Sequence, residues 1–269
     1  MIKIHILHTG RVNVDIGVPL KQKNPIAVTG FFRSEKNRVW LPVSTYLIEH
    51  PKGLILIDTG WHTGRRQTKV KRHLGFLPIS YADLPKGMAI NEQLSRLGYQ
   101  TSDLDYVFIS HMDSDHVDGI RLVSDAKNIM VSDKELLDTQ KKRYFYRYKS
   151  NCWDGVSIKT FRFSESGIGP LGKSYDVFGD KSLLLVNTPG HSHGLFTTLV
   201  QGEQKFVAMI GDTGYMKKSW KDLWLPGLTV DRTAAKRSLE WIREISNHQN
   251  CAGILATHDP EIKPHTIEI

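Results

Sequence analysis

The chain has 269 residues, 40% of them hydrophobic, and a formal net charge of +8. This length and composition predict one soluble domain, residues 1–269, with a sizeable core. No segment has the apolar length of a membrane-spanning helix, and Lys3 and His5 interrupt the apolar start of the chain. We therefore expect neither a membrane protein nor a signal peptide.

The cysteines and the basic residues narrow the class further. Cys152 and Cys251 lie far apart without a CxxC pattern. We expect two buried, reduced thiols in a cytoplasmic protein, with a disulfide as the alternative.

Positive charge is concentrated in residues 65–73 and in KKRYFYRYK, residues 141–149. Basic residues interleaved with aromatic ones can bind single-stranded nucleic acid, but we favour a solvated helix or loop whose aromatic side chains face the core.

The first half of the chain predicts strands before helices. IKIHIL predicts the first strand, and VSTYLIE and LILIDTG predict a hairpin around the turn at residues 50–53. A helix is predicted over residues 89–97 because Gly98 follows it. Residues 104–110 predict a continuous apolar strand, and a further helix is predicted to begin at Asp133 with Ser132 or Asp133 as its cap.

The second half partly repeats this pattern. A short strand is predicted at residues 183–187, then a hairpin of LFTTLV and KFVAMIG, a long helix capped by Asp231, and a last strand in AGILATHDP. Asp-Thr-Gly follows an apolar strand at residues 58–60 and again at residues 212–214. This repetition suggests two similar αβ halves packed face to face, with strands covered on both sides.

Metal-binding side chains follow several of these strands. SHMDSDHVDG, residues 110–119, contains an HxDxDH hexapeptide, and His191, Asp212 and His258 each lie at or just after the end of another strand. Ligands that arrive at one edge of a sheet from several strands can converge on a single site. The sequence therefore predicts a metal site.

The motifs together resemble those of a known family. LILIDTG, SHMDSDHVDG, NTPGHSHG, GDTGYMKKSW and ATHDPE are similar, in this order and over nearly the whole chain, to the motifs of the metallo-β-lactamase-fold hydrolases. Tyr215 and HDPE at residues 258–261 make the chain similar to the N-acyl-homoserine lactonases in particular. The resemblance implies an α/β fold (α+β in some schemes), a four-layer αβ/βα sandwich.

The resemblance also implies two adjacent divalent cations that share a hydroxide. Their ligands would be His111, Asp113, His191 and one oxygen of Asp212 for the first cation, and Asp115, His116, His258 and the other oxygen of Asp212 for the second.

Two of the implied site residues also have catalytic roles. The phenol of Tyr215 would donate a hydrogen bond to the developing oxyanion, and Asp115 would pass a proton to the leaving alkoxide. Asp58 is expected to support the ligands from behind. The alternatives are a packed core phenol for Tyr215 and a turn cap for Asp58.

Asp113 departs from the family pattern, which usually has histidine at this position. With Asp113, the formal charges of two cations, three aspartates and one hydroxide cancel, whereas histidine would leave one positive charge. The family implies zinc as the metal, and the oxygen-rich ligand set adds manganese and iron as alternatives. The departure also bears on the substrate that the family would imply.

Three functions remain open at this point. The first is opening of a lactone, probably an N-acyl-homoserine lactone, by a monomer or homodimer whose partner is a small acyl lactone, with residues 144–153 as candidates to line the acyl pocket. The second is a phosphodiesterase or nuclease on the same scaffold, which would make nucleic acid a partner that we do not favour. The third is a binding protein without turnover. No GxSxG elbow is present.

The remaining histidines are not predicted to be metal ligands. His193 shares a face with His191 in an extended segment, and we expect it to have a pocket or surface role. We interpret the others as ordinary surface or core histidines: His5, His8, His50, His62, His73, His248 and His265.

Overall fold

The computed structural model describes residues 1–67 and 79–269. Within these residues the strands are β1 (Lys3–Asp15), β2 (Arg38–His50), β3 (Gly53–Ile57), β4 (Ser80–Asp83), β5 (Tyr106–Ile109), β6 (Ile129–Ser132), β7 (Lys159–Phe161), β8 (Ser164–Glu165), β9 (Lys173–Asp176), β10 (Leu183–Asn187), β11 (Phe196–Gln201), β12 (Phe206–Gly211), β13 (Cys251–Ala256) and β14 (Thr266–Glu268). The α-helices are α1 (Ile90–Arg96), α2 (Ser114–Val117), α3 (Asp133–Thr139), α4 (Lys217–Lys221) and α5 (Arg232–Ser246). Short 3-10 segments occur at Ala27–Thr29, Glu35–Asn37, Thr63–Gln67, Thr101–Asp103, Asp118–Val123, Lys142–Tyr144 and Ser150–Cys152.

The strands form two mixed sheets. The first has the order β14-β1-β2-β3-β5-β6-β7, with β4 also paired to β1, and the second has the order β13-β12-β11-β10-β9-β8. β3, β5, β6 and β7 run parallel to one another, and β12 runs parallel to β13. Two antiparallel pairings separate β10 from β12, so these strands also share one direction. The carboxyl ends of β10, β12 and β13 therefore meet at one edge.

Alternation along the strands divides the core into layers. In β10, Leu183 and Leu185 belong to the cluster between the sheets, whereas Leu184 and Val186 pack under α4 and α5 on the outer face. A third cluster lies between the outer face of the first sheet and the elements around α1 and α2. This order of helices, sheet, sheet and helices confirms the predicted four-layer αβ/βα sandwich. The two-residue period of a strand produces it, because each strand presents alternate side chains to both faces.

Several predicted elements agree closely with the observed ones, but β1 extends to Asp15, eight residues beyond the predicted IKIHIL, and β4, β6, β7, β8, β9, β14, α2 and α4 were not predicted. The helix predicted over residues 89–97 is Ile90–Arg96, and the strand predicted at residues 183–187 is Leu183–Asn187. Side-chain oxygens cap two helices as expected: Ser132 accepts from the backbone of Glu135, and Asp231 accepts from that of Ala234. Both cysteines are free, as predicted, but only Cys152 has the burial expected of both, since Cys251 is partly exposed.

The basic aromatic segment at residues 141–149 agrees only in part with its predicted form. Tyr144 and Tyr148 are buried in the outer core, but Phe145 and Tyr146 are exposed. The other basic cluster, at residues 65–73, continues beyond residue 67, so most of it, including His73, lies outside the described residues. Across the described ranges, no helix is both long and apolar enough to cross a membrane.

Gly190 provides a test of how tightly the loop after β10 packs against α5. Its φ is +144°, and a Cβ at this position would lie 2.3 Å from Cα of Ala235. We expect Gly190→Ala to lower the free energy of unfolding by about 2–4 kcal/mol, since it adds both backbone strain and a clash with a helix backbone. Thermal denaturation measures the loss. Gly253→Ala is the matched control because a Cβ there has nothing within 4 Å among the described atoms, and equal effects of the two changes would contradict this account.

Candidate metal centre

The side chains predicted as ligands converge where strands end. β5 leads directly into the loop with His111 and Asp113, and α2 carries Asp115 and His116. The turns after β10, β12 and β13 carry the others. All four histidines and Asp212 are buried, with at most 2% of each residue exposed. The fold thus gathers polar side chains from both sheets at one interior edge.

These side chains form two groups with the spacing of metal ligands. One group is His111, His191 and Asp212, and the other is Asp115, His116 and His258; within each group the ligand atoms lie within 4.8 Å of one another. Asp212 faces both groups with different oxygens. Its Oδ2 lies 3.9 Å from Nε2 of His111 and 3.6 Å from Nε2 of His191, and its Oδ1 lies 3.3 Å from Nε2 of His116 and 3.2 Å from Nε2 of His258.

The outward nitrogen of each histidine has a partner that fixes the ring. Nδ1 of His116 donates to Oδ2 of Asp58 at 2.7 Å, Nδ1 of His191 to the carbonyl of Leu228 at 2.7 Å, and Nδ1 of His258 to the carbonyl of Pro42 at 2.8 Å. Carbonyls and carboxylates only accept hydrogen bonds, so in the neutral rings Nδ1 carries the proton. Each Nε2 then has a lone pair that faces the centre, as metal-binding histidines require.

The fourth histidine follows the same rule through a serine. Oγ of Ser110 donates to Oδ2 of Asp58 at 2.7 Å, and it lies 3.1 Å from Nδ1 of His111, from which it can accept. Oδ1 of Asp58 accepts from the backbone of Ser110 at 2.7 Å. Asp58, at a φ of +61°, therefore supports both His111 and His116 from behind, as the sequence suggested.

The inward atoms test whether a cation fits. Within the described residues, Nε2 of His111, His116 and His258 and Oδ1 of Asp212 are buried without a hydrogen-bond partner. Leaving buried polar atoms unpaired costs about 1–3 kcal/mol each. Distances of 3.2–3.9 Å between the inward nitrogens and the two oxygens of Asp212 agree with ligands that share a cation at about 2.0–2.2 Å. The donor set therefore fits two divalent ions.

Asp113 has a partner that the sequence did not indicate. Nε and Nη2 of Arg147 donate to Oδ1 and Oδ2 of Asp113 at 2.6 and 2.8 Å. Oδ2 of Asp113 also lies 2.9 Å from Nε2 of His191 and 3.4 Å from Nε2 of His111, so it belongs to the first group by position. Burial opposes ionisation of Asp113, but Arg147 and the two histidines lower its pKa well below the usual value. The charge count made from the sequence was incomplete because it omitted this guanidinium.

Glu135 is a second residue that the sequence did not single out. This buried carboxylate accepts from the backbone of Met112 at 3.1 Å through Oε1, and from the hydroxyl of Ser192 at 2.6 Å and the backbone of Gly194 at 3.1 Å through Oε2. It thereby connects the loop that carries Asp113 to the loop that carries His191. In the sequence, Glu135 stands out only as a glutamate in the first turn of the predicted helix, and its burial is seen only in the structure.

Tyr215 lies over the second group. Its ring stacks on that of His258, with centroids 4.9 Å apart and planes 19° apart, and 4% of the residue is exposed. Burial, with Asp212 nearby, raises its pKa well above the usual value, so the phenol keeps its proton. It therefore lies beside the ligand candidates, and its role in a reaction stays a prediction.

His193 lies outside both groups. Its Nδ1 contacts a carboxylate oxygen of Asp138, and its side chain is 38% exposed. The expectation that it has a pocket or surface role agrees with this position.

Comparison with known proteins decides the family. Residues 38–247 match the metallo-beta-lactamase superfamily. The chain belongs to this superfamily. It is 27% identical over 229 residues to the N-acyl homoserine lactonase AttM of Agrobacterium fabrum, a match that covers 82% of this chain and 83% of that one.

Solved structures share the fold of this superfamily member. A variant of AiiA from B. thuringiensis, with N-decanoyl-L-homoserine bound at the active site, superposes with a TM-score of 0.77 at 23% identity and covers 96% of this chain and 94% of its own. AidC, described as a dizinc quorum-quenching lactonase, superposes with a TM-score of 0.66 at 14% identity over 100% of this chain and 91% of its own. These comparisons confirm the predicted family and agree with the expectation of a metal-dependent hydrolase.

Removal of metal tests the site directly. We expect elemental analysis of the purified protein to find two divalent ions per chain. Dialysis against a chelator should lower the unfolding temperature, because an ion at a free concentration of 100 Kd stabilises the folded state by about 2.7 kcal/mol. Adding the ion back should restore the temperature. An unfolding temperature that does not respond to chelator, in protein that contains no metal, would contradict the assignment.

Proposed function

We propose that this protein is a dinuclear metal-dependent hydrolase that opens a lactone ring, and that its substrate is an N-acyl-homoserine lactone. The observation that carries the proposal is the division of Asp212 between the two ligand groups, one oxygen to each. The lactonase relatives add support for the substrate class.

Seven residues would hold the ions. His111, Asp113, His191 and Oδ2 of Asp212 surround the first position, and Asp115, His116, His258 and Oδ1 of Asp212 surround the second. Two divalent ions, when bound there, lower the pKa of a water that they share and polarise the substrate carbonyl.

The side chains of the protein supply the other parts of the reaction. Asp115 has one oxygen, Oδ2, at 3.6 Å from Nε2 of His258, and its side chain keeps 17% of its surface exposed. It can therefore take a proton at the site and deliver it to the ring oxygen as the carbon–oxygen bond breaks. Tyr215, stacked on His258, would donate its phenolic proton in a hydrogen bond to the carbonyl oxygen as negative charge develops there.

The identity of the metal is part of this proposal. Zinc is our first choice from the family, with manganese and iron as alternatives that an aspartate at position 113 would favour. The pairing of Asp113 with Arg147 weakens the argument for those alternatives, since the guanidinium offsets the charge that the aspartate adds.

The structure reduces the number of residues in the segment 144–153 that could line the proposed acyl pocket. Tyr144 and Tyr148 pack in the outer core, so they are not free to contact an acyl chain along their full length. Phe145 and Tyr146, which are 77% and 53% exposed, remain available to a substrate.

A paired assay separates lactone opening from phosphodiester hydrolysis. The second reaction is the alternative because the net charge of +8 would attract anionic substrates such as phosphodiesters. Protein reconstituted with zinc, manganese or iron is given N-hexanoyl-homoserine lactone and bis(p-nitrophenyl) phosphate at equal concentrations. We expect ring opening, followed by proton release, with little release of nitrophenol. Phosphodiester turnover without ring opening would replace this proposal, and turnover of neither substrate by fully loaded protein would favour the binding-protein class.

Tyr215→Phe tests the oxyanion role. We expect kcat for the lactone to fall about 100-fold, the usual effect of removing one oxyanion donor, while metal content stays the same. Tyr175→Phe is the control, because that ring packs against Phe161 between the sheets, away from the ligands. If Tyr215→Phe instead loses metal, the phenol has a structural role.

A further inference from the structure

We propose that Arg147 is a positioning residue of the metal centre, whose guanidinium orients Asp113 and offsets its charge so that this aspartate acts as a near-neutral ligand. The inference rests on the metal centre proposed above and assigns a role to a residue outside the ligand set.

The contact between the two side chains is a bidentate fork. Nε and Nη2 of Arg147 donate to the two oxygens of Asp113, one to each, at 2.6 and 2.8 Å. Two parallel hydrogen bonds fix the plane of a carboxylate as well as its position. Oδ2 is thereby held 2.9–3.4 Å from the inward nitrogens of His191 and His111.

Arg147 also holds a second ligand loop. Its Nη1 donates to the backbone carbonyl of His191 at 2.7 Å. The guanidinium therefore joins the loop after β5 to the loop after β10, which come from different sheets. Beside it, the hydroxyl of Tyr148 donates to Glu135 at 3.0 Å, and Glu135 binds the backbone of the same two loops.

Burial makes this ion pair matter more than a surface pair. The side chain of Arg147 is 5% exposed and that of Asp113 is 14% exposed. Water screens such charges weakly, so each depends on the other. A carboxylate that faces a guanidinium contributes about as much net charge to its surroundings as a neutral imidazole would.

The pairing predicts that the two positions are coupled. In Asp113→His, the buried Arg147 would lose the carboxylate that it binds and would lie close to the cations, so metal binding should fall severely. In Arg147→Met, Asp113 would lose its clamp, and metal affinity should fall about 10–100-fold, as is usual when a partner of a ligand is removed. The double variant has neither unpaired charge, and it should bind metal more tightly than Asp113→His alone.

The test measures metal and does not depend on turnover. Zinc and manganese affinities are determined by competition with a chelator for the unmodified chain, the two single variants and the double variant. Arg143→Met is the matched control, since Arg143 is exposed in the same segment and lies over the ring of Tyr144; its affinity should not change. Near-ultraviolet circular dichroism of each metal-free variant checks that it is folded.

Arg147→Lys provides a second test of the inference if Arg147→Met does not fold. Lysine keeps the charge but cannot form the fork, so its metal affinity should fall between those of the unmodified and Met chains. A double variant that binds more weakly than Asp113→His, or an Arg147 variant with unchanged affinity, would overturn the inference while leaving the metal centre intact. Absence of metal from the unmodified chain would overturn both.

Discussion

Four imidazoles and one carboxylate face one another in the interior, and the orientation of each ring is fixed from behind. Asp58, the carbonyls of Pro42 and Leu228, and the hydroxyl of Ser110 accept from the outward nitrogens. In the neutral rings the inward nitrogens are then acceptors, and they crowd around the oxygens of Asp212. Acceptors that face acceptors repel one another unless cations lie between them. The geometry of the candidate site, and the chemistry proposed for it, depend on this arrangement.

The arrangement requires that loops from two sheets keep their relative positions. Parallel strands bring the ends of β3 and β5 to one edge, and the shared direction of β10, β12 and β13 does the same in the second sheet. Glu135 then connects the loops across the edge through their backbone groups, and Arg147 connects them through the side chain of Asp113 and the carbonyl of His191. A metal site needs ligand positions that are accurate to a fraction of an ångström, and buried charged residues with several hydrogen bonds supply that rigidity. This explains why carboxylates and a guanidinium are buried next to the ligands.

The segment around Arg147 contains neighbouring residues that differ in burial. In KKRYFYRYK, Tyr144, Arg147 and Tyr148 face inward at helical spacing, while Phe145 and Tyr146 face solvent. From the sequence, this stretch is predicted to be a solvated basic segment, because runs of charged residues are usually exposed to solvent. Arg147 is an exception to this prediction because Asp113 lies beneath the segment, and its carboxylate needs a partner of opposite charge. The same partner changes the charge around the proposed metal pair, and with it the argument for manganese or iron.

The sequence by itself determined the main strands and helices that lead into the site, such as β5, β10 and α5, and the identities of the ligand candidates; its resemblance to a known family implied the four-layer sandwich. Apolar runs of period two, caps such as Ser132 and Asp231, and histidines at strand ends are local signals, and motif order carried the family. Only the tertiary structure decided which oxygen of Asp212 faces which histidines, which group holds each ring, and that Arg147 and Glu135 join the loops. Most of those contacts connect residues far apart in the chain, such as Met112 and Glu135, 23 positions apart, and Pro42 and His258, 216 positions apart. No local pattern specifies such a pair, because the packing of two sheets brings them together.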